Sequence, residues 1–409
     1  MRKRLFTPAA LLGCLLILTF ETVSATDQST LTALVRTVLD DNPRVLAARS
    51  AVDVTQARES AADRPLYNPD LDIDYEDASS VTKTLGLSQS IDWADKREAR
   101  TRVAAQERER VAAELAGIRQ ELTAELLNAL ADYHAVAELV GLAEQRSNLM
   151  KRFLELTQQR QQAGDLGQVA LDLARLAYTE ANLQRVRILG GQAQAEQTLQ
   201  AVVDEPQGGW PVLPALPSSL SLDPANIDTL LEQLPVLRAA RAQITQARAA
   251  VDLSRRERKA DPTIGLYGGR EGSDNLIGVS LSIPLFVRNS FSAEVDAANA
   301  QAIQREQSAH NIYRTSRARL ISTAQRFELE RQAWNDWLQT GQTSLESQVQ
   351  LLERLWRVGD LSTADYLVQV KQTLDTRTAA VELHGSLWQA WFQWLAASGQ
   401  TESWLGLKN

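Results

Sequence analysis

The chain repeats its own plan once, and that repetition limits its folds more than any other feature. Gly86-Leu87-Ser88-Gln89-Ser90-Ile91 returns as Gly278-Val279-Ser280-Leu281-Ser282-Ile283, 192 residues later. At the same offset, Asn42-Pro43-Arg44-Val45-Leu46-Ala47-Ala48-Arg49 meets Leu234-Pro235-Val236-Leu237-Arg238-Ala239-Ala240-Arg241. Ala163-Gly164-Asp165-Leu166 returns as Val358-Gly359-Asp360-Leu361 at an offset of 195. Two copies make a duplicated domain rather than a repeat array.

Each copy reads as helix, two short strands, very long helix, tight turn and returning helix. In the first, residues 28–41 form an amphipathic segment stopped by Asn42-Pro43, and a helix follows from Arg44 to about Asp63, ahead of Pro65 and Pro69. Over 70–79 the period changes to two: Leu71, Ile73 and Tyr75 alternate with Asp70, Asp72, Asp74 and Glu76. Residues 81–91 supply the second strand of a hairpin spanning 70–91. No proline interrupts 95–162, where Val111, Leu115, Ile118, Leu122, Leu126, Leu130, Tyr133, Val136 and Val140 make one stripe. A helix of that extent reaches roughly 100 Å at 1.5 Å per residue, a length suited to a channel crossing an aqueous compartment. Gly164 ends it through the left-handed conformation, and a helix returns over 168–203.

Residues 206–224, with five prolines and a Gly-Gly pair, link the copies. The second copy, 225–400, carries a helix over 227–259, a hairpin at 263–286, a long helix over 290–358, the Gly359 turn and a return over 362–397. A tail, 401–409, follows. Trp388, Trp391 and Trp394 read as a packing stripe.

Residues 1–25 read as a secretory signal: Arg2-Lys3-Arg4, an apolar core from Leu11 to Phe20, and a Val23-Ser24-Ala25 cleavage site. No other apolar run approaches the ~18 residues of a membrane helix. Leu11-Leu12-Gly13-Cys14 also allows a lipoprotein reading, although Leu15 to Leu18 stay apolar beyond the cysteine. Cys14 is the single cysteine, so a mature chain without it has no disulfide. Three of the 43 basic and one of the 51 acidic residues lie in the signal, leaving a mature net charge of −10. That balance argues against nucleic acid as a partner.

Four strands per chain cannot close a barrel, and open edges in lipid leave backbone groups unpaired. Three chains would supply twelve strands, enough for an aqueous lumen. Leu71, Ile73 and Tyr75 would then face lipid, with Asp70, Asp72, Asp74 and Glu76 facing water. The hairpins alone also permit a soluble protein with one solvated strand face. The expected fold is therefore mainly α with a small membrane β-barrel, internally duplicated.

The duplicated unit, the signal and the proline-rich linker resemble the TolC family of outer-membrane efflux factors. Ser88-Gln89-Ser90-Ile91 before Lys96-Arg97, and Ile283-Pro284-Leu285-Phe286 before Arg288-Asn289, are similar to the CzcC-type heavy-metal branch. That branch often has Gly-Gly before its Lys-Arg and a Gly after its Arg-Asn, where this chain has Ala94-Asp95 and Ser290-Phe291. The resemblance implies a homotrimer in the Gram-negative outer membrane with a helical barrel in the periplasm. It also implies a tripartite pump with a periplasmic membrane-fusion adaptor and an inner-membrane RND transporter. Adaptor contact falls on Gly164, Asp165, Leu166, Gly359, Asp360 and Leu361. An acidic ring at the tip maps onto Asp365, which also reads as an early-helix carboxylate favoured by the dipole; the ring's next place holds apolar Val368.

His134, His310 and His384 are scattered, so no tight metal site is expected, nor any cofactor. The Gly-x-Ser-x-Ser runs at 86–90 and 278–282 lie in strands with no helix after the serine, unlike a nucleophile elbow, so the chain does not read as an enzyme. A carboxylate-rich lumen would concentrate cations. Open readings are a passive duct for heavy-metal cations, a duct for drugs or a secreted polypeptide, and a soluble periplasmic coiled-coil adaptor or scaffold.

Overall fold

The computed structural model describes residues 21–407, apart from 205, 207, 208 and 221. Cys14 and most of the expected signal fall outside the described residues; residues 21–25 continue into the first helix.

Helix α1 (Glu21–Asp41) stops at Asn42, whose side chain accepts from the Arg44 N–H and starts α2 (Pro43–Ala62). Proline is well placed there, since a first-turn N–H has no helical partner. A hairpin of β1 (Asp70–Asp77) and β2 (Val81–Ser90) follows, then α3 (Lys96–Gln162), one unbroken helix of 67 residues. After the first tip comes α4 (Gln168–Gln200). The second copy contains α5 (Ile227–Gln233), α6 (Pro235–Glu257), β3 (Thr263–Glu271), β4 (Asp274–Ser282), α7 (Ser292–Asp336), α8 (Gln342–Val358) and α9 (Thr363–Ser398). A short α10 (Thr401–Trp404) ends the described chain.

Three expectations need correction. The helix expected over 227–259 breaks at Leu234, which is extended (ψ 129°); Pro235 opens α6 as Pro43 opens α2, so the duplicated break was already visible in the sequence. The strand expected to reach 286 ends at Ser282, ahead of Pro284, which has no N–H to give a ladder. The long second helix is interrupted by a π-helical turn, Trp337–Gly341. There the Trp337 ring lies where a Cβ on Gly341 would fall.

The strands form one antiparallel sheet in the order β1-β2-β3-β4. Its central pairing, β2 with β3, joins the two copies, with Gly86 opposite Tyr267 and Leu87 opposite Leu266. The helices are held by two separate cores. The larger gathers Leu122, Leu126 and Leu130 of α3, Leu320 and Phe327 of α7, and Trp388, Trp391 and Phe392 of α9. The tryptophan stripe is thus core: Trp391 stacks on Trp394 at 5.0 Å and meets Phe327 at 5.2 Å. The linker lays Trp210, Leu213 and Leu216 on this core. The expected tail docks too, with Leu405 buried and Glu402 accepting two bonds from Arg119 at 3.2 and 3.0 Å. The smaller core lies at the far end of the long helices.

Candidate functional site

Cross-strand partners share a sheet face and neighbours along a strand alternate, so the register separates two surfaces. One carries Leu71, Leu87, Leu266 and Val279 in one row, and Ile73, Leu85, Gly268 and Ile277 in the next. These large apolar side chains are exposed, Ile73 at 73% and Ile277 at 82%. The other surface carries Asp70, Asp72, Asp74 and Glu76 with Thr84, Ser88, Ser280, Glu271 and Asp274. Ser88 donates to Asp72 at 2.9 Å and Thr84 to Asp74 at 3.3 Å. Within the four strands this second face has six carboxylates and no Lys or Arg. Both outer edges, β1 and β4, are unpaired within the chain.

At the helix-side end of the sheet, Asp92 caps α3 by accepting from the Lys96 and Arg97 N–H groups, both at 2.8 Å. The Lys96 ammonium then turns inward, 2.8 Å from Asp261 and 2.6 Å from the Lys259 carbonyl. Tyr67 donates to the same Asp261 oxygen at 2.6 Å, and that bond, with burial, pushes its hydroxyl up to about 12, keeping it a donor. Asp95 and Phe291 both have φ of 53°. Left-handed backbone costs an L-residue roughly 1–2 kcal/mol. Arginines of the α6 end brace both turns: Arg256 donates to the Ala94 and Asp95 carbonyls, each at 3.1 Å, and Arg258 to Ser290 at 2.9 Å.

At the opposite end, both turns close alike. Gly164 (φ +83°) and Gly359 (φ +87°) are left-handed. The Asp165 N–H reaches Arg160 O at 2.9 Å and the Asp360 N–H reaches Leu355 O at 3.0 Å, the long bonds of a Schellman close. Leu166 and Leu361 turn inward onto the smaller core of Met150, Phe153, Leu352, Trp356, Tyr366 and Val370. Phe153 stacks on Tyr366 at 4.9 Å, and Arg160 covers Trp356 at 5.2 Å, tying one turn to the other. Asp165 and Asp360 remain exposed.

Burial pushes the Tyr366 hydroxyl up to about 12. The fold therefore favours its neutral form. The associated stability is complete below an ordinary tyrosine pKa near 10 and is lost as pH rises toward 12. Denaturation midpoints measured from pH 9 to 12 should fall less steeply in Tyr366→Phe than in the wild type.

The sequence model of the outer membrane efflux protein family matches residues 34–204. Over those residues the chain is similar to that family. It is 28% identical over 288 residues to the cobalt-zinc-cadmium resistance protein CzcC of Cupriavidus metallidurans, covering 66% of this chain and 68% of that protein. Among solved structures, the outer-membrane channel OprN superposes with a TM-score of 0.79 at 16% identity, covering 93% of both chains. The Campylobacter jejuni CmeC outer membrane channel gives 0.77 at 14% identity, covering 98% of this chain and 94% of that one. These likenesses show that the chain has the fold of these outer-membrane channel proteins, mostly helical with a small antiparallel sheet.

The predicted site residues fall into two groups at opposite ends of the fold. The Asp70–Glu76 carboxylates and the Leu71–Tyr75 side chains occupy opposite faces of the sheet. The Gly, Asp and Leu residues of the two turns converge on one tip. Asp365 is more engaged than the sequence showed. Ser362 caps α9, accepting from the Asp365 N–H at 3.1 Å while donating to its carboxylate at 2.6 Å. Asp365 and Val368 are both exposed, Val368 at 65%. Two features escaped the sequence reading. Glu271 and Asp274 add to the acidic face, which only the hairpin register reveals. The Lys96–Asp261 pair had half a signal, the Lys-Arg motif, but its partner lies 165 residues away. His134 contacts Pro211 O at 2.8 Å and His384 stacks on Trp334 at 4.5 Å, both packing roles. Among the described residues no helix is long and apolar enough to cross a membrane, and no group of three or more His, Cys, Asp or Glu is placed to hold a metal ion.

Proposed function

We propose that this protein is the outer-membrane exit duct of a tripartite efflux pump, with heavy-metal cations as cargo. The observation that carries the reading is the sheet: two open edges, one apolar exposed face and one carboxylate face, set at the end of a helix about 100 Å long. Three copies pool their hairpins into twelve strands, β4 of one chain pairing with β1 of the next, and every edge is satisfied. Apolar rows then meet lipid, and Asp70, Asp72, Asp74, Glu76, Glu271 and Asp274 line the lumen. The helices continue the lumen through the periplasm to the tip.

A barrel lumen lined by this carboxylate face, which carries no Lys or Arg within the four strands, favours positive cargo while binding it weakly enough for release. The likeness to a cobalt-zinc-cadmium resistance protein supports metal ions as that cargo. At the tip, the exposed Gly-Asp turns and the exposed Val358 and Val169 offer the contact surface for a periplasmic adaptor. An inner-membrane RND transporter supplies the energy. Asp365, capped by Ser362 and exposed, narrows the tip as a single acidic ring.

Purified protein in planar bilayers tests this directly. Discrete conductance with cation selectivity is expected, and Asp72→Asn/Asp74→Asn should reduce that selectivity. Absence of conductance from the purified trimer counts against a duct. A chain that extracts from cells without detergent points to the soluble scaffold. Deletion of the gene should sensitise cells to metal salts; sensitivity to hydrophobic drugs instead assigns the duct to drugs. Gly359→Val should abolish most export while trimers persist, because φ of +87° is costly for a β-branched residue although space around the glycine is open. Normal export in that variant removes the tip turn from the mechanism.

A further inference from the structure

Toward the hairpin turns, the apolar face of the sheet carries a row of different chemistry, with Asp77 and Val81 one row beyond it on the same face. Tyr75, Lys83, Arg270 and Asn275 stand abreast across the four strands. By register they share the face of Leu71, Leu87 and Leu266, and all four are exposed. The Lys83 ammonium lies 5.5 Å from the Tyr75 ring centre, and Arg270 donates to Asn275 at 3.3 Å. Neither cation forms an ion pair with a carboxylate among the described residues. Like charges directly opposite on neighbouring strands are unfavourable unless an anion is shared. One row below, the outward position on β3 is Gly268, between Leu85 and Ile277. A Cβ there would meet only the Leu276 carbonyl, at 3.6 Å, so a notch opens beneath Arg270.

We propose that Lys83 and Arg270 bind the phosphate of an acylated glycolipid in the outer leaflet, with an acyl chain lying in the Gly268 notch. This rests on the membrane reading of the sheet given above. Charge complementarity selects the phosphate. The continuous apolar surface starting about 7 Å below the cations, two residues along a strand, selects a phosphate carried on hydrocarbon rather than a free ion.

Full-length wild type and Lys83→Gln/Arg270→Gln, in the same detergent, would be titrated with diphosphoryl lipid A, with its dephosphorylated form and with inorganic phosphate, binding being read by native mass spectrometry. The wild type should bind diphosphoryl lipid A roughly tenfold or more tightly than the double variant. Both proteins should bind the dephosphorylated lipid equally, and millimolar phosphate should not displace the lipid. Equal affinity for the phosphorylated lipid overturns the proposal, and so does displacement by phosphate, which would mark a soluble-anion site. Cell fractionation separates the two levels: wild type missing from the outer membrane sinks the membrane reading itself. Both proteins present there with unchanged lipid affinity remove only the lipid site.

Discussion

Lys96→Met should destabilise the protein by about 3–5 kcal/mol, the cost of leaving a buried charge without its partner. The Lys96 and Asp261 side chains are only 11% and 6% exposed. Asp261 Oδ2 accepts from Lys96 and from Tyr67, while Oδ1 is buried with no protein partner. Without the ammonium, a carboxylate would remain in a low-dielectric junction with one neutral hydroxyl for support. The Lys259 carbonyl would lose its donor as well. This junction is where the first long helix meets the end of α6, so the loss should also loosen the seat of the sheet. Denaturant midpoints in detergent measure the effect. Lys96→Met/Asp261→Leu should recover most of the loss, since replacing both partners of a buried pair by apolar groups is often nearly neutral. A single variant within 1 kcal/mol of wild type, a threshold set well below the expected cost, would show that the pair is effectively solvated.

Leu87→Arg is the second large effect, and it separates a membrane sheet from a solvated one. Leu87 is 57% exposed in the single chain and sits in the middle of the apolar rows. If water covered that face, arginine there would change little. Against hydrocarbon, it should cost about 2–4 kcal/mol near the midplane, falling toward the interfaces. Less trimer should accumulate in outer membranes, and what accumulates should melt earlier. Ser88→Arg is the internal control, adjacent in sequence but on the carboxylate face beside Asp72. It should insert normally and alter ion selectivity instead. Equal insertion of wild type and Leu87→Arg would place the apolar face outside lipid.

Much of this fold could be read along the chain because its signals are local. A period of two at Leu71-Asp72-Ile73-Asp74 marks a strand wherever the strand is placed. The 3.6-residue stripe from Val111 to Val140 marks a helix, and glycine ahead of Asp-Leu marks both tips. The Leu234–Pro235 break obeys the same local rule as Asn42–Pro43, an extended residue followed by a proline that opens the next helix. The π-helical turn at Trp337 had no comparable signal, since it depends on how a tryptophan ring settles over Gly341.

By itself the sequence determined the duplication, the order of elements, the turn positions and the two-sided character of β1, all set by backbone sterics and side-chain alternation within a few residues. Only the tertiary structure decided that β2 pairs with β3, which merges the copies into one sheet and adds Glu271 and Asp274 to the acidic face. It also decided that Lys96 is buried against Asp261, that Leu166 and Leu361 point inward while the neighbouring aspartates point out, and that Lys83 stands beside Arg270. The physical reason is separation along the chain: these contacts join residues more than 150 apart or depend on which side of a helix meets another, and short-range periodicity carries no information about either.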